Sequence, residues 1–161
     1  MKGMAVILAM ASLFFAGRAQ AQENSWTYKE TKDPMTDALT DTAAIKSVDG
    51  KVTLIMQRTG KSLYVMFFSA RDEQFLCIDV SPTVCNVGAR FDEAKADTFC
   101  GMQDMRFSPG DSSHVITLCG ESAKFFKKLS KSQMVKVQLP VFNKGPQVFE
   151  FRPAGLTWSI K

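Results

Sequence analysis

Histidine is almost missing from this sequence of 161 residues, which contains only His114. There is also no Cys-x-x-Cys pair, no Gly-x-Ser-x-Gly segment and no glycine-rich phosphate loop. Zinc sites, thiol redox centres, serine hydrolases and nucleotide-binding folds depend on such patterns. The adjacent carboxylates Asp92 and Glu93 are a pair that is common by chance. The sequence therefore predicts no cofactor, no metal site, no catalytic residue and no enzyme, and we expect His114 in a solvated turn.

Long apolar runs are scarce, and the longest lies near the N-terminus. Residues 5–16 are apolar, follow Lys2 and precede Ala19-Gln20-Ala21. A positive start, a short apolar stretch and a small-x-small ending are typical of a cleaved secretory signal peptide, here predicted over residues 1–21. The stretch is too short to span a bilayer. We expect one domain over residues 22–161, exported to the periplasm of a Gram-negative bacterium, without a transmembrane segment.

The chain carries only a small excess of positive charge. The chain has 20 Lys and Arg against 16 Asp and Glu, and removal of Lys2 and Arg18 lowers the net charge from +4 to +2. Nucleic-acid-binding domains concentrate far more basic charge, so no nucleic-acid partner is expected. A composition of 45% hydrophobic and 22% charged residues is typical of a globular domain.

Short alternating segments predict a mainly β fold, either an antiparallel β-sandwich or an open barrel. The clearest strand covers residues 135–141, where valine and leucine alternate with polar residues. Residues 63–68 are apolar on both faces, which predicts a central strand. Further strands are predicted at residues 52–57, 74–79, 86–91, 96–107, 114–118 and 147–152, and residues 23–41 are predicted to form a first short strand and an irregular acidic lead-in.

One segment has helical periodicity instead. Ser122 is a plausible N-cap, and Phe125, Phe126 and Leu129 recur at the spacing of a helix that packs on a sheet. This pattern predicts one short amphipathic helix near residues 122–131. Its other face carries four lysines: Lys124, Lys127, Lys128 and Lys131.

The four cysteines predict two structural disulfides, because an even number in an exported chain is typical of a disulfide framework. Cys100 and Cys119 are symmetric about Pro109-Gly110, the expected turn of a hairpin, so they would face each other on antiparallel strands. Cys77 and Cys85 are likewise symmetric about Ser81. We therefore predict the pairs Cys77–Cys85 and Cys100–Cys119.

Two charged surfaces are candidate partner contacts. Asp33, Asp37 and Asp41 recur every four residues, but they lack the glycine and the terminal glutamate of a calcium loop. The sequence leaves two interpretations of these aspartates open: a solvated acidic face, or a surface that contacts a partner. The same two interpretations apply to the lysine face of the helix. The turn at residues 71–73 is a further candidate for contact with a partner.

Several short motifs occur in an order that resembles a diffuse group of small exported Gram-negative proteins, which includes the type VI secretion accessory protein VasI. The motifs are Trp26, Asp33-Pro34-Met35-Thr36-Asp37, Val87-Gly88-Ala89-Arg90-Phe91-Asp92, the helix with Phe126 and Leu129, and Val148-Phe149-Glu150-Phe151 followed by Ala154-Gly155-Leu156. The resemblance implies a compact β-rich periplasmic domain in which Phe91 and Phe151 pack in the core.

Together these features predict a periplasmic accessory protein that binds another periplasmic or envelope protein, in an envelope-spanning secretion or conjugation system. One alternative is an inhibitor or immunity protein against a cell-wall hydrolase or toxin. A third is small-ligand binding or an enzyme. The oligomeric state is left open.

Overall fold

The computed structural model describes residues 25–69, 73–78, 83–103 and 112–158, so the predicted signal peptide lies outside the described residues. Within these ranges the chain forms nine strands and one α-helix. They are β1 (Thr27–Lys32), β2 (Leu39–Lys46), β3 (Val52–Thr59), β4 (Ser62–Ser69), β5 (Val84–Phe91), β6 (Asp97–Gln103), β7 (Val115–Leu118), α1 (Ser122–Leu129), β8 (Val135–Val141) and β9 (Gly145–Phe151).

All nine strands belong to one antiparallel sheet with the order β1-β2-β3-β4-β7-β6-β5-β8-β9. This arrangement confirms a mainly β fold with one short helix. The strand predicted to be central, β4, does lie inside the sheet, between β3 and β7. Because each described strand pairs with its neighbours in a defined register, residues on different strands can be assigned to one face or the other.

The inner face of the sheet holds the core, and α1 packs against it. Phe125 of α1 is fully buried, and its ring makes edge-on contacts with Phe67, Phe91 and Phe99 at centroid distances of 5.3–5.9 Å. The Phe67 ring also lies 6.5 Å from the ring of Phe151 in β9. Strands from both halves of the sheet therefore share one core, and the predicted core positions of Phe91 and Phe151 are observed.

Both predicted disulfides are present. Cys77 bonds to Cys85, with Cα atoms 4.6 Å apart, and Cys100 bonds to Cys119, with Cα atoms 5.2 Å apart. The second pair joins the antiparallel neighbours β6 and β7, as the hairpin symmetry predicted, and the amide of Cys119 donates to the carbonyl of Cys100. The two predicted turns lie outside the described residues.

Two strand predictions were wrong. β2 was missed, since residues 39–41 had been assigned to an irregular lead-in and residues 42–46 to no element. Residues 74–78 form no regular strand, only an isolated bridge between Phe75 and Val141. Residue 79 lies outside the described ranges.

The helix begins in a different way from that predicted. Ser122 is its first helical residue, and Glu121 occupies the N-cap position without a side-chain cap. The Ser122 hydroxyl is buried and accepts a hydrogen bond from the backbone amide of Val65, at 3.2 Å. The serine therefore fixes the helix onto β4 instead of capping it.

The two ends of the described chain meet. The Trp26 Nε1 donates a hydrogen bond to the carbonyl of Pro153 at 2.9 Å, and the Tyr28 hydroxyl accepts one from the amide of Thr157 at 3.0 Å. Trp158 packs edge-on against Phe126 of α1 and lies under the guanidinium of Arg58. The segment after β9 is thus held by β1, β3 and α1.

Candidate binding face of the sheet

Side chains that alternate with the core residues form a second face of the sheet, which we call the outer face. In the register of the strands, one row across this face runs through Thr27, Ala44, Ile55, Met66, Thr117, Met102 and Val84. A neighbouring row contains Gln57 and Tyr64, and another contains Thr53, Phe68 and Val115. The helix α1 packs on the inner face of the sheet, in the core.

Large apolar side chains are concentrated in the middle of the outer face. Tyr64, Phe68 and Met102 are 37%, 41% and 39% exposed, and Ile55 and Met66 beside them are half-buried. Tyr64, Met66 and Phe68 alternate along β4, roughly 7 Å apart, and Met102 lies two strands away, about 10 Å from Met66. We call these five residues the outer patch. Exposed apolar side chains this close together are typical of an interaction surface.

Strand β7 passes between Met66 and Met102 and is buried on both faces. Thr117 faces outward in the same row as the two methionines but is only 5% exposed. Its hydroxyl has no hydrogen-bond partner in the described part of the chain. Buried hydroxyls are nearly always paired, so this one is an unused polar group beneath the surface beside the outer patch.

Basic residues predominate among the charged side chains of the outer face. In the described strands, those on this face are Lys29, Lys46, Arg90 and Lys136, against the single acidic residue Glu150. They lie at the two ends of the sheet, with the apolar patch between them. Basic residues therefore flank the apolar patch on both sides along the curved sheet, which favours acidic groups on a partner that covers the patch.

The three aspartates of the predicted acidic surface each have a different partner in the structure. Asp33 lies in the turn between β1 and β2, Asp37 forms an ion pair with Lys32 at 2.7 Å, and Asp41 on β2 pairs with Arg58 of β3. Asp37 and Asp41 line one open cavity of about 590 Å³, with Arg58 among the other residues there. The predicted role of these aspartates in partner contact stays a prediction.

Asp33 has a local structural role. Its Oδ1 accepts backbone hydrogen bonds from Met35 at 2.8 Å and Thr36 at 2.9 Å. These two bonds, Met35 first, favour the charged carboxylate and lower the pKa of Asp33. The carboxylate therefore stabilises the turn between β1 and β2.

The four lysines of the predicted lysine face have two kinds of surroundings, and Lys131 lies two residues beyond the end of α1. Lys124 binds Glu121 at 3.0 Å and lies over the Phe99 ring, and Lys128 binds Asp97 and lies over the Phe91 ring. Lys127 and Lys131 are exposed. Half of the lysine face is therefore engaged within the protein, and its contact with a partner stays a prediction.

His114 was expected in a solvated turn, and it is partly buried in a 3-10 turn before β7. Its Nδ1 lies 2.9 Å from the Ser69 hydroxyl. Ser69 is 1% exposed, and its hydroxyl donates a hydrogen bond to the Glu73 carbonyl at 2.6 Å. The serine proton is therefore engaged by the backbone. The contact ties β4 to the turn before β7.

Two other charged positions have structural roles. Asp92 accepts hydrogen bonds from the amides of Gln133 and Met134, both at 2.9 Å, while Glu93 is exposed. Glu73 belongs to the predicted contact turn, whose other residues lie outside the described ranges. It is buried, and both of its carboxylate oxygens accept hydrogen bonds from Lys144, at 2.8 and 2.9 Å. Glu73 is therefore held inside the protein by an ion pair, and contact of this turn with a partner stays a prediction.

The described ranges contain no cluster of three or more His, Cys, Asp or Glu residues that could hold a metal ion. They also contain no helix long and apolar enough to cross a membrane. Comparisons with protein-family models, with curated proteins and with solved structures find no match to this chain. Its function therefore has to be inferred from its own residues.

The outer patch was missed as a site, although its signal is present in the sequence. Residues 63–68 are apolar on both faces, and this pattern predicted a strand buried on both sides. A sequence with such a strand does not reveal whether its second face is covered by the chain itself. In the structure Tyr64 and Phe68 keep more than a third of their surface exposed.

Proposed function

We propose that the protein is a periplasmic accessory module that binds another envelope protein through the outer face of its sheet. The outer patch carries this proposal, because Tyr64, Phe68 and Met102 expose apolar surface side by side on a rigid sheet. Aromatic and methionine side chains are enriched at protein interfaces. The signal-peptide pattern over residues 1–21 and the two disulfides support an oxidising, exported location.

The charge of the outer face supports a protein partner with acidic residues around an apolar centre. The basic residues at both ends of the sheet would steer such a partner and set its orientation, while burial of the patch would supply most of the affinity. A sheet face is open, whereas small-molecule sites are concave. The disulfide-bonded sheet is preorganised, which lowers the entropy cost of binding.

The resemblance to exported secretion-associated proteins supports a partner within an envelope-spanning secretion or conjugation system. The identity of the partner separates this function from its alternative. A structural component of such an apparatus would support an accessory role. A cell-wall hydrolase or toxin that loses activity on binding would indicate an inhibitor or immunity protein.

Site-specific crosslinking tests the outer patch. A photoreactive amino acid placed at Phe68 of the full chain, expressed in its own host, should capture one stoichiometric partner, identified by mass spectrometry. The same group at Phe142 is the control, since Phe142 is similarly exposed, at 46%, but follows β8 and is not a member of the outer patch. The purified partner then allows affinities to be compared.

The double variant Tyr64→Ser/Phe68→Ser should bind that partner at least tenfold more weakly, whereas Phe142→Ser should bind like the wild type. Unchanged urea midpoints would establish that both variants remain folded. Equal crosslinking from Phe68 and Phe142, or full affinity in the double variant, would contradict the proposal.

A further inference from the structure

Two basic side chains are placed directly opposite each other at one end of the outer face. Arg90 of β5 is the register partner of Lys136 of β8, and both are exposed. Directly opposed side chains on antiparallel strands have Cβ atoms about 4.5–5.5 Å apart. Like charges at that separation destabilise a sheet, so this pair has an electrostatic cost in the free protein.

Neither Arg90 nor Lys136 forms an ion pair with the part of the chain that the structure describes. Many other basic residues do, including Lys128 with Asp97 and Lys144 with Glu73. Glu150 is the register partner of Lys136 on β9, but its carboxylate binds Arg152, with Nε and Oε1 3.3 Å apart. The positive charge of the opposed pair is therefore available to a ligand.

The pair borders a groove with a volume of about 220 Å³. The residues that line it are Gly88, Ala89, Arg90, Ala96, Lys136, Gln138 and Val148. This volume lies below the usual range for drug-sized ligands, about 300–1,000 Å³, so the groove suits a single chemical group and a short stem. It is open to solvent along the sheet.

Gly88 keeps the floor of the groove free. It lies within β5 and has no positive φ, so the backbone there does not require glycine. A Cβ at this position would lie 3.3 Å from both Cβ and Oε1 of Gln138 on β8. Glycine in the interior of a strand is unfavourable unless something approaches the backbone closely. Its presence here keeps open the space beside the opposed basic pair.

We propose that this groove binds a carboxylate carried on a short apolar stem. The planar guanidinium of Arg90 matches a carboxylate in a two-bond fork, and the Lys136 ammonium and the Gln138 amide supply further donors. Ala96 and Val148 provide an apolar wall for the carbon stem. The nearby Glu150 disfavours a doubly charged phosphate more than a singly charged carboxylate.

The carboxylate belongs either to the C-terminus of a peptide or to an acidic side chain, and both share this chemistry. The inference does not rest on the proposed function, because it concerns a small ligand that can be titrated into the purified, disulfide-bonded protein. A peptide carboxylate would also place an end or an acidic residue of a protein partner on the outer face of the sheet.

The test is a titration followed by amide NMR shifts. The probes are N-acetyl-alanyl-alanine, its C-terminal amide as a neutral control, N-acetyl-glutamic acid amide as the side-chain carboxylate, and inorganic phosphate. At least one carboxylate probe should produce saturable shifts at Gly88, Arg90 and Gln138, with a dissociation constant on the order of 1 mM. The tighter of the two identifies the source of the carboxylate.

Three variants locate the site. Arg90→Gln and Lys136→Gln should each weaken binding at least fivefold, and Gly88→Ala should do the same without changing the charge. Lys127→Gln removes an exposed lysine on α1, away from the groove, and should bind like the wild type. Urea midpoints show that each protein is folded.

The inference is overturned by equal binding of the neutral amide, by tighter binding of phosphate than of either carboxylate, or by shifts that never saturate. It is also overturned if the folded Arg90, Lys136 and Gly88 variants all keep wild-type affinity. None of these results bears on the crosslinking from Phe68, so the two proposals fail separately.

Discussion

Thr117 has a buried hydroxyl without a hydrogen-bond partner in the described part of the chain, so its removal should stabilise the protein. Replacement by the isosteric valine removes the free-energy cost of burying a hydroxyl that has no hydrogen-bond partner. We expect Thr117→Val to raise the free energy of unfolding by about 1 kcal/mol. Urea denaturation of the variant and the wild type measures this difference.

Thr98→Val is the matched control, because Thr98 is on the same face but exposed. Its effect should stay within about 0.5 kcal/mol. A destabilised Thr117→Val protein would show that the hydroxyl is satisfied in solution.

Asp33 gives the turn between β1 and β2 a dependence on pH. The amides of Met35 and Thr36 lower its pKa in the folded protein below the ordinary value of about 3.9. Such a carboxylate contributes stability above its unfolded pKa, and the contribution is lost as the pH falls through the folded pKa. We expect Asp33→Ala to be less stable than the wild type near neutral pH and to converge with it in acid.

Two measurements check the Asp33 prediction. Unfolding free energies of the two proteins should differ above about pH 4 and approach each other below the folded pKa. Carbon-13 NMR should show the Asp33 carboxyl titrating below its ordinary value. A constant difference across this range would mean that the turn depends on the side chain but not on its charge.

At the scale of elements, the Phe125 ring makes the central core contact of α1. Phe125 contacts three other phenylalanine rings in the core and has no exposed surface. We expect Phe125→Ala to lower the free energy of unfolding by about 3–5 kcal/mol, because it removes buried area and leaves a cavity. Chemical denaturation measures the loss, and Phe125→Leu should retain part of the stability if the alanine variant fails to fold.

The control for α1 is Lys127→Ala on its exposed face, where a change within about 0.5 kcal/mol is expected. A similar loss in both variants would show that the loss in Phe125→Ala is not specific to the buried ring. An unchanged Phe125→Ala protein would contradict the packing described for the core.

The elements that were predicted from sequence have strong local patterns. β8 alternates valine and leucine with polar residues, α1 has apolar residues at helical spacing, and the cysteine symmetry follows from a hairpin. β2 lacks such a pattern, since Asp41 and Ala43 occupy two of its inward positions. Its extended conformation comes from pairing with β1 on one side and β3 on the other. The local sequence pattern of β2 does not predict this pairing.

The candidate sites were harder to predict for a related reason. Asp33, Asp37 and Asp41 look like one cluster in sequence, yet each has its own partners once β1, β2 and β3 pair. Arg90 and Lys136 are far apart in sequence and meet only through the register of β5 and β8. Charged groups that define a site can thus be recognised only after strand pairing is known.

At the scale of the whole molecule, the hydrogen bond from Trp26 to Pro153 joins residues that are 127 positions apart. Trp26→Phe keeps most of the ring but leaves the Pro153 carbonyl without its donor. We expect a loss of about 1–3 kcal/mol in the free energy of unfolding. Fluorescence of the single remaining tryptophan, Trp158, should report whether the segment after β9 has come loose.

Tyr28→Phe is the companion variant, because its hydroxyl accepts a bond from Thr157 in a more exposed position. A smaller loss is expected there, since water can replace the hydroxyl. Equal losses in the two variants would show that burial of Trp26 adds nothing to its bond.

The same contact has a consequence for the order in which the protein forms. A polypeptide is synthesised from its N-terminus, so Trp26 is present long before Pro153 has been made. During that interval the Trp26 indole lacks its bond to Pro153 and is available to chaperones or to other unfinished chains. The bond between the two ends can therefore form only after the segment that follows β9 has been made, so it is among the last contacts of the folded protein to be completed.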